Sequence, residues 1–184
     1  MEKLEFLIKE ILSIIGEDPN REGLKHTPKR VAKMYHEIFR GYQDEKPVIT
    51  TFANGKDGIT YNQMVVDEGD FFSMCEHHIM PFFGKYYFAY IPDKIILGLS
   101  KVARIVDFHA AKLQIQERLV KDIVDDLEKA CKPKGIALII KAHHLCKSMR
   151  GVKKEGYMVT SEVRGVFQKN LDTRQEFLSI INIK

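Results

Sequence analysis

The chain has 184 residues, 45% of them hydrophobic and 29% charged, with a formal charge of +4 at neutral pH. That length suits one compact domain with a small appendage, and the residue balance excludes a disordered chain. No apolar run approaches the roughly 20 residues of a membrane span, and Lys3, Glu5, Lys9 and Glu10 interrupt the first apolar stretch too often for a signal peptide. A cytoplasmic protein without a membrane partner is expected.

Leu4, Leu7, Ile8, Ile11, Leu12 and Ile15 recur at helical spacing. Thr27-Pro28 reads as an N-cap followed by proline at the first helical position. The helix it opens carries Val31, Met34, Tyr35, Ile38 and Phe39 as its stripe and ends near Gly41. Residues 1–42 are therefore expected as an N-terminal helical region and 43–184 as the main domain. The connection from Gln43 to Tyr61 allows only short extended pieces.

Met64 to Met74 has strand character, Gly84 reads as a turn, and Lys85 to Ile91 is a strongly β-prone run. Ser100 is a plausible cap for a helical region over 101–130 broken near Gln114. Ile136 to Ile140 predicts a buried strand that continues towards Cys146, and Tyr157 to Phe167 its returning partner. Asp172 with Gln175 suggests a capping box for a last helix to Ile183. Strands and helices grouped in this way predict an α+β fold, an antiparallel four-stranded sheet with helices on one face. Its two open edges favour closure against identical neighbours, hence a ring-like homo-oligomer.

Two clusters interrupt this pattern: Cys75-Glu76-His77-His78 in the connection between two strands, and His143-His144-Leu145-Cys146. They hold two of the three cysteines and four of the seven histidines. Thiolate and imidazole are preferred zinc ligands, and Cys75 and His78, three residues apart, can share one ion. Spacing leaves two arrangements open. Cys75, His78, His144 and Cys146 would close a structural site, whereas three of them would leave a position for chemistry. Cys131 stands alone and reads as a small buried hydrophobe. From Lys141 to Lys169 seven Lys or Arg face only Glu155 and Glu162, an excess suited to an anionic ligand. No aromatic and basic signature accompanies it, so nucleic acid is not expected.

Several stretches together resemble the GTP cyclohydrolase I family. They are Thr27-Pro28-Lys29-Arg30-Val31, Ser73-Met74-Cys75-Glu76-His77-His78, Gly98-Leu99-Ser100-Lys101-Val102-Ala103-Arg104, Gln114-Ile115-Gln116-Glu117-Arg118, His144-Leu145-Cys146 with Met149-Arg150-Gly151-Val152, and the tail from Asp172 to Leu178. The resemblance implies a tunnelling fold, in which sheets of several subunits close a barrel and two pentamers stack as a decamer. It implies Zn²⁺ on Cys75, His78 and Cys146, and conversion of GTP to 7,8-dihydroneopterin triphosphate and formate, the first step of folate or pterin synthesis.

His144 and His77 would then transfer protons as catalytic residues, with Glu117 and Gln116 at the guanine. Ser100, Lys101, Arg104, Arg150 and Arg30 would hold the triphosphate. The plain alternative for Glu117 is a helix-surface pair with Lys121. The chain departs from the family pattern at His109, at Ala111-Lys112, in a shortened loop after Val152, and at Tyr157-Met158. Two other functions are weighed: a nitrile-reductase-like homologue, and a non-enzymatic zinc protein binding polyanions.

Overall fold

The computed structural model describes residues 1–182. The chain forms two compact units, Met1–Asp44 and Glu45–Lys184. In the first, α1 (Glu2–Ile14) packs on α2 (Thr27–Ile38), and a single 3₁₀ turn covers Arg40–Tyr42 around a buried Gly41. Only Ile8 and Ala32 of the two helices are buried, while Phe6, Leu7, Ile11, Ile14 and Ile15 are exposed. The cap differs from expectation. Thr27 is already helical because its N–H donates to the Leu24 carbonyl, so His26 takes the capping position.

The second unit is built on four long antiparallel strands: β2 (Val65–Cys75), β3 (Pro81–Ile91), β6 (Gly135–His144) and β7 (Tyr157–Gly165). A two-residue strand, β5 (Leu113–Gln114), adds in parallel beside β2, giving the order β5-β2-β3-β6-β7. A separate small ladder joins β1 (Thr51–Ala53) to β4 (Ile95–Leu97). The helices α3 (Leu99–Ala110) and α4 (Gln116–Cys131) are split where the sequence predicted a break, because β5 occupies the gap.

Alternation along the strands divides the core. Phe71, Phe82, Tyr86, Phe88, Ile136, Leu138 and Ile140 face α3 and α4, where they meet Ile105, Leu119, Ile123 and Leu127. Full burial of each such side chain contributes about 1.5–3 kcal/mol. On the opposite face, Ala89, Ala137 and Ile139 pack against Phe167 and Phe177 of the C-terminal helices α6 (Val166–Lys169) and α7 (Leu171–Ile181). The C-terminal helices thus cover part of the second sheet face, in addition to the helical layer expected on the first.

Three local expectations are corrected. Gly84 lies inside β3, not at a turn: a Cβ there would sit 2.0 Å from the Lys141 carbonyl oxygen, so the glycine permits close approach of β6. Ser100 lies in the first turn of α3, whose cap is Gly98. The last helix is capped by Asn170, whose side chain accepts from the Thr173 N–H, and Asp172 stands inside its first turn. Ile183 lies outside the described residues.

Candidate metal and catalytic site

The chain reverses between β2 and β3 through Glu76–Met80, and this reversal carries the first cluster. Cys75 N–H donates to the Met80 carbonyl at 2.8 Å and Ile79 N–H to the Cys75 carbonyl at 2.9 Å. Ile79 adopts φ 51°, a left-handed conformation that costs a β-branched residue on the order of 1–3 kcal/mol. Neighbouring contacts hold the strained turn in place. Arg118 on α4 donates to Glu76, to the Leu113 carbonyl and to Gln114 Oε1, and Glu76 N–H donates to the Gln114 carbonyl.

The second cluster arrives by a different route from the one the sequence suggested. β6 ends at His144, and Cys146 stands on the single-turn helix α5 (Leu145–Ser148). That turn lets Cys146 reach Cys75 while His144 keeps the strand direction. The ligand atoms of Cys75, His78 and Cys146 lie within 4.8 Å of one another. Cys75 Sγ and His78 Nδ1 are 3.9 Å apart. Tetrahedral zinc with bonds of about 2.0–2.3 Å separates its ligands by roughly 3.3–3.8 Å, so this donor set fits a metal after slight closure. Burial and the neighbouring Cys75 sulfur push the Cys146 thiol up. Two adjacent sulfurs resist joint ionisation unless a cation lies between them.

His144 stacks on Phe82 with ring centroids 4.6 Å apart and an interplanar angle of 6°. Burial lowers its pKa below the ordinary 6.5, against an opposing pull from the Glu117 carboxylate. His77 is exposed, with Nδ1 4.0 Å from Cys75 Sγ and Nε2 3.8 Å from Glu76. His143 turns to the other sheet face, beside Phe83, Tyr157 and Ser148.

Glu117 is exposed in the first turn of α4 and has no hydrogen bond or ion pair among the described residues. The plain alternative for it fails, since Lys121 pairs with Asp125 instead. Gln116 is turned inward and almost wholly buried, with its amide used by Ile140, Met158, Thr160 and His144. Sequence reasoning placed it only beside Glu117 and missed this contact, which arises from pairing elements 28 residues apart. The Arg118–Glu76 tether was missed for the same reason.

Arg150 donates to His78 Nε2 at 2.9 Å, so one anion-binding candidate borders the cluster. No hydrogen bond or ion pair among the described residues joins Ser100, Lys101 or Arg104 to the cluster. The far end of their helix meets β2, where Ser73 Oγ donates to the Ala110 carbonyl. Ser100 therefore lies about 15 Å along the helix axis from the end nearest Cys75. Arg30 is exposed on α2 in the first unit.

A Cys/His/Cys group that could hold a metal ion, on an antiparallel α+β scaffold that also carries the stacked His144, is the kind of site found in enzymes. The family model described as GTP cyclohydrolase I matches residues 4–182. The chain is 49% identical over 182 residues to GTP cyclohydrolase 1 of Aquifex aeolicus, covering 98% of this chain and 96% of that one. It is 48% identical over 186 residues to the protein of the same name from Thermoanaerobacter pseudethanolicus, covering 100% and 97%. The chain belongs to the GTP cyclohydrolase I family. A solved structure of an apo archaeosine synthase of the QueF-like type overlaps 54% of this chain and 92% of that one, with 17% identity and a TM-score of 0.41. At that level the likeness has no weight in the assignment. No helix among the described residues is long and apolar enough to cross a membrane.

Proposed function

We propose that the chain is a zinc-dependent GTP cyclohydrolase I that converts GTP and water to 7,8-dihydroneopterin triphosphate and formate. The convergence of Cys75, His78 and Cys146 beside His144 is the observation that carries this reading. It supports a three-ligand site over a four-ligand structural one, because among the described residues the ligand atoms that lie within 4.8 Å of one another are those of Cys75, His78 and Cys146, without His144. The family membership supports the substrate.

When bound, zinc supplies Lewis-acid activation of water near neutral pH. The rest falls to side chains. Glu117, unpaired among the described residues, accepts the N1–H and exocyclic amine of guanine in charge-assisted hydrogen bonds. That holds the purine by its six-membered ring and leaves the C8 edge, on the opposite side of the base, free to react. His144, kept neutral by burial, exchanges a proton with the imidazole ring of the purine as it opens. His77, exposed at the rim, serves proton transfer at the ribose.

Arg150 neutralises phosphate charge. Ser100, Lys101 and Arg104 form a second cationic group at the first turn of α3, where backbone N–H groups add to the side chains. Their distance from Cys75 within one chain supports completion of the site by a neighbouring copy. The β7 edge, with Tyr157, Met158 and Val159 exposed, suits strand addition between copies and supports a barrel of pentamers stacked as a decamer. A cytoplasmic location accords with the free cysteines.

The direct test incubates zinc-quantified protein with GTP and follows formate and the fluorescent oxidised pterin, with and without chelator. Both products must appear together and vanish on chelation. Stoichiometric zinc without GTP turnover would favour the polyanion-binding reading, and reduction of a nitrile with NADPH would favour the other homologue.

A further inference from the structure

The hydrogen bonds of Gln116 fix which of its amide atoms faces His144. Its Nε2 lies 2.9 Å from the Ile140 carbonyl, 3.2 Å from the Met158 carbonyl and 3.0 Å from Thr160 Oγ1. Two of these partners can only accept, so the amide nitrogen must point to them. The flipped amide would place an oxygen against two carbonyl oxygens in a site that is 1% exposed, a repulsion no solvent relieves. The remaining atom, Oε1, stands 2.8 Å from His144 Nε2 and can only accept. Neutral imidazole has one N–H, and here it must be at Nε2.

The other nitrogen, Nδ1, has no hydrogen-bond partner among the described residues and is not a sealed atom, as the buried Nδ1 of His109 is. Phe82, stacked flat on the ring, leaves the imidazole one plane in which to lie. We infer that Gln116 is a positioning residue that locks His144 in the Nε2–H tautomer, making Nδ1 the atom that exchanges protons with substrate. The inference rests on the reading of His144 as the proton-transferring group, but the tautomer itself does not depend on the reaction. It also moves Gln116 from contact with guanine to support of the histidine. The physical cause is general: a group that orients an imidazole through one nitrogen sets the chemistry of the other.

The test uses full-length, zinc-loaded protein labelled with ¹⁵N-histidine, studied by solid-state NMR at pH 8, with His144 identified by the signal lost in His144→Asn. A protonated Nε2 and an unprotonated Nδ1 are expected. Gln116→Met keeps the volume and removes the acceptor. It should mix the two tautomers and lower GTP turnover about 10- to 100-fold with zinc content unchanged. Thr160→Val removes one of three anchors of the amide and should keep both tautomer and turnover.

A proton at Nδ1 in the unsubstituted protein overturns the inference, and that measurement decides even if Gln116→Met does not fold. Full turnover by Gln116→Met also overturns it. The expected tautomer in a protein that never converts GTP leaves the positioning intact and removes the cyclohydrolase reading instead.

Discussion

Arg150 Nη1 lies 2.9 Å from Nε2 of His78, while Nδ1 of the same ring faces Cys75. Arginine only donates, so Nε2 accepts in this contact. A metal held through Nδ1 would leave the ring proton on Nε2, and that N–H would oppose the guanidinium. Metal ligation at Nδ1 and this Arg150 contact would therefore compete, and a bound metal would leave the guanidinium for phosphate.

Arg150→Ala should hold zinc at least as tightly as the unsubstituted protein, measured by competition with a chromophoric chelator. Its KM for GTP should rise on the order of tenfold, the effect of one lost charge-assisted contact. Zinc lost from this variant would contradict the competition.

Glu117, unpaired among the described residues, is the carboxylate proposed to read the purine. Glu117→Ala should lower kcat/KM for GTP by about 100-fold or more, because guanine donors would then enter the site without an acceptor. Zinc content should not change. The thermal midpoint should hold too, since among the described residues none takes a hydrogen bond or ion pair from this side chain.

Gly84→Ala tests the β3–β6 approach. A methyl 2.0 Å from the Lys141 carbonyl oxygen must push the central strands apart. A loss of about 1–3 kcal/mol in denaturant unfolding is expected, against about 0.4–1 kcal/mol gained if the position tolerated alanine.

Asp126 governs part of the acid stability. Burial pushes its carboxyl up, but the Lys46 ammonium and the His109 ring outweigh burial and hold it below the ordinary value of 3.8. The contacts are 2.8 Å to Lys46 and 2.7 Å to His109. A carboxyl lowered in the folded state stabilises above its unfolded pKa, and the contribution disappears as pH falls through the folded one. Stability should therefore drop below about pH 4. Asp126→Asn should cost about 1–3 kcal/mol at pH 7 and flatten the acid limb. An equally steep acid limb in the variant would place the titrating groups elsewhere, with Asp125 beside Lys121 and Arg164 the next candidate.

The candidate metal group was legible because ligand chemistry is concentrated in residue type: Cys-x-x-His and His-x-Cys stand out wherever the backbone takes them. The route was less legible. A strand through Cys146 and a turn at Gly84 are what local propensity suggests, yet α5 carries Cys146 and the reversal falls at Ile79. In both places long-range packing overrides local preference. Caps misread as Ser100 and Asp172 show the same limit, since Gly98 and Asn170 win by two residues of register. Gln116 was invisible as a support for His144 because nothing in a sequence tells which side of a helix start meets a strand 28 residues away.

The central claim separates the metal ligand Cys146 from the proton-transferring His144, two residues apart on different elements. The decisive measurement is zinc content and formate release from GTP, made side by side on Cys146→Ala and His144→Ala. The account predicts that Cys146→Ala loses both, while His144→Ala retains stoichiometric zinc and loses formate release. Formate released by a zinc-free Cys146→Ala, or zinc lost from His144→Ala, would contradict it.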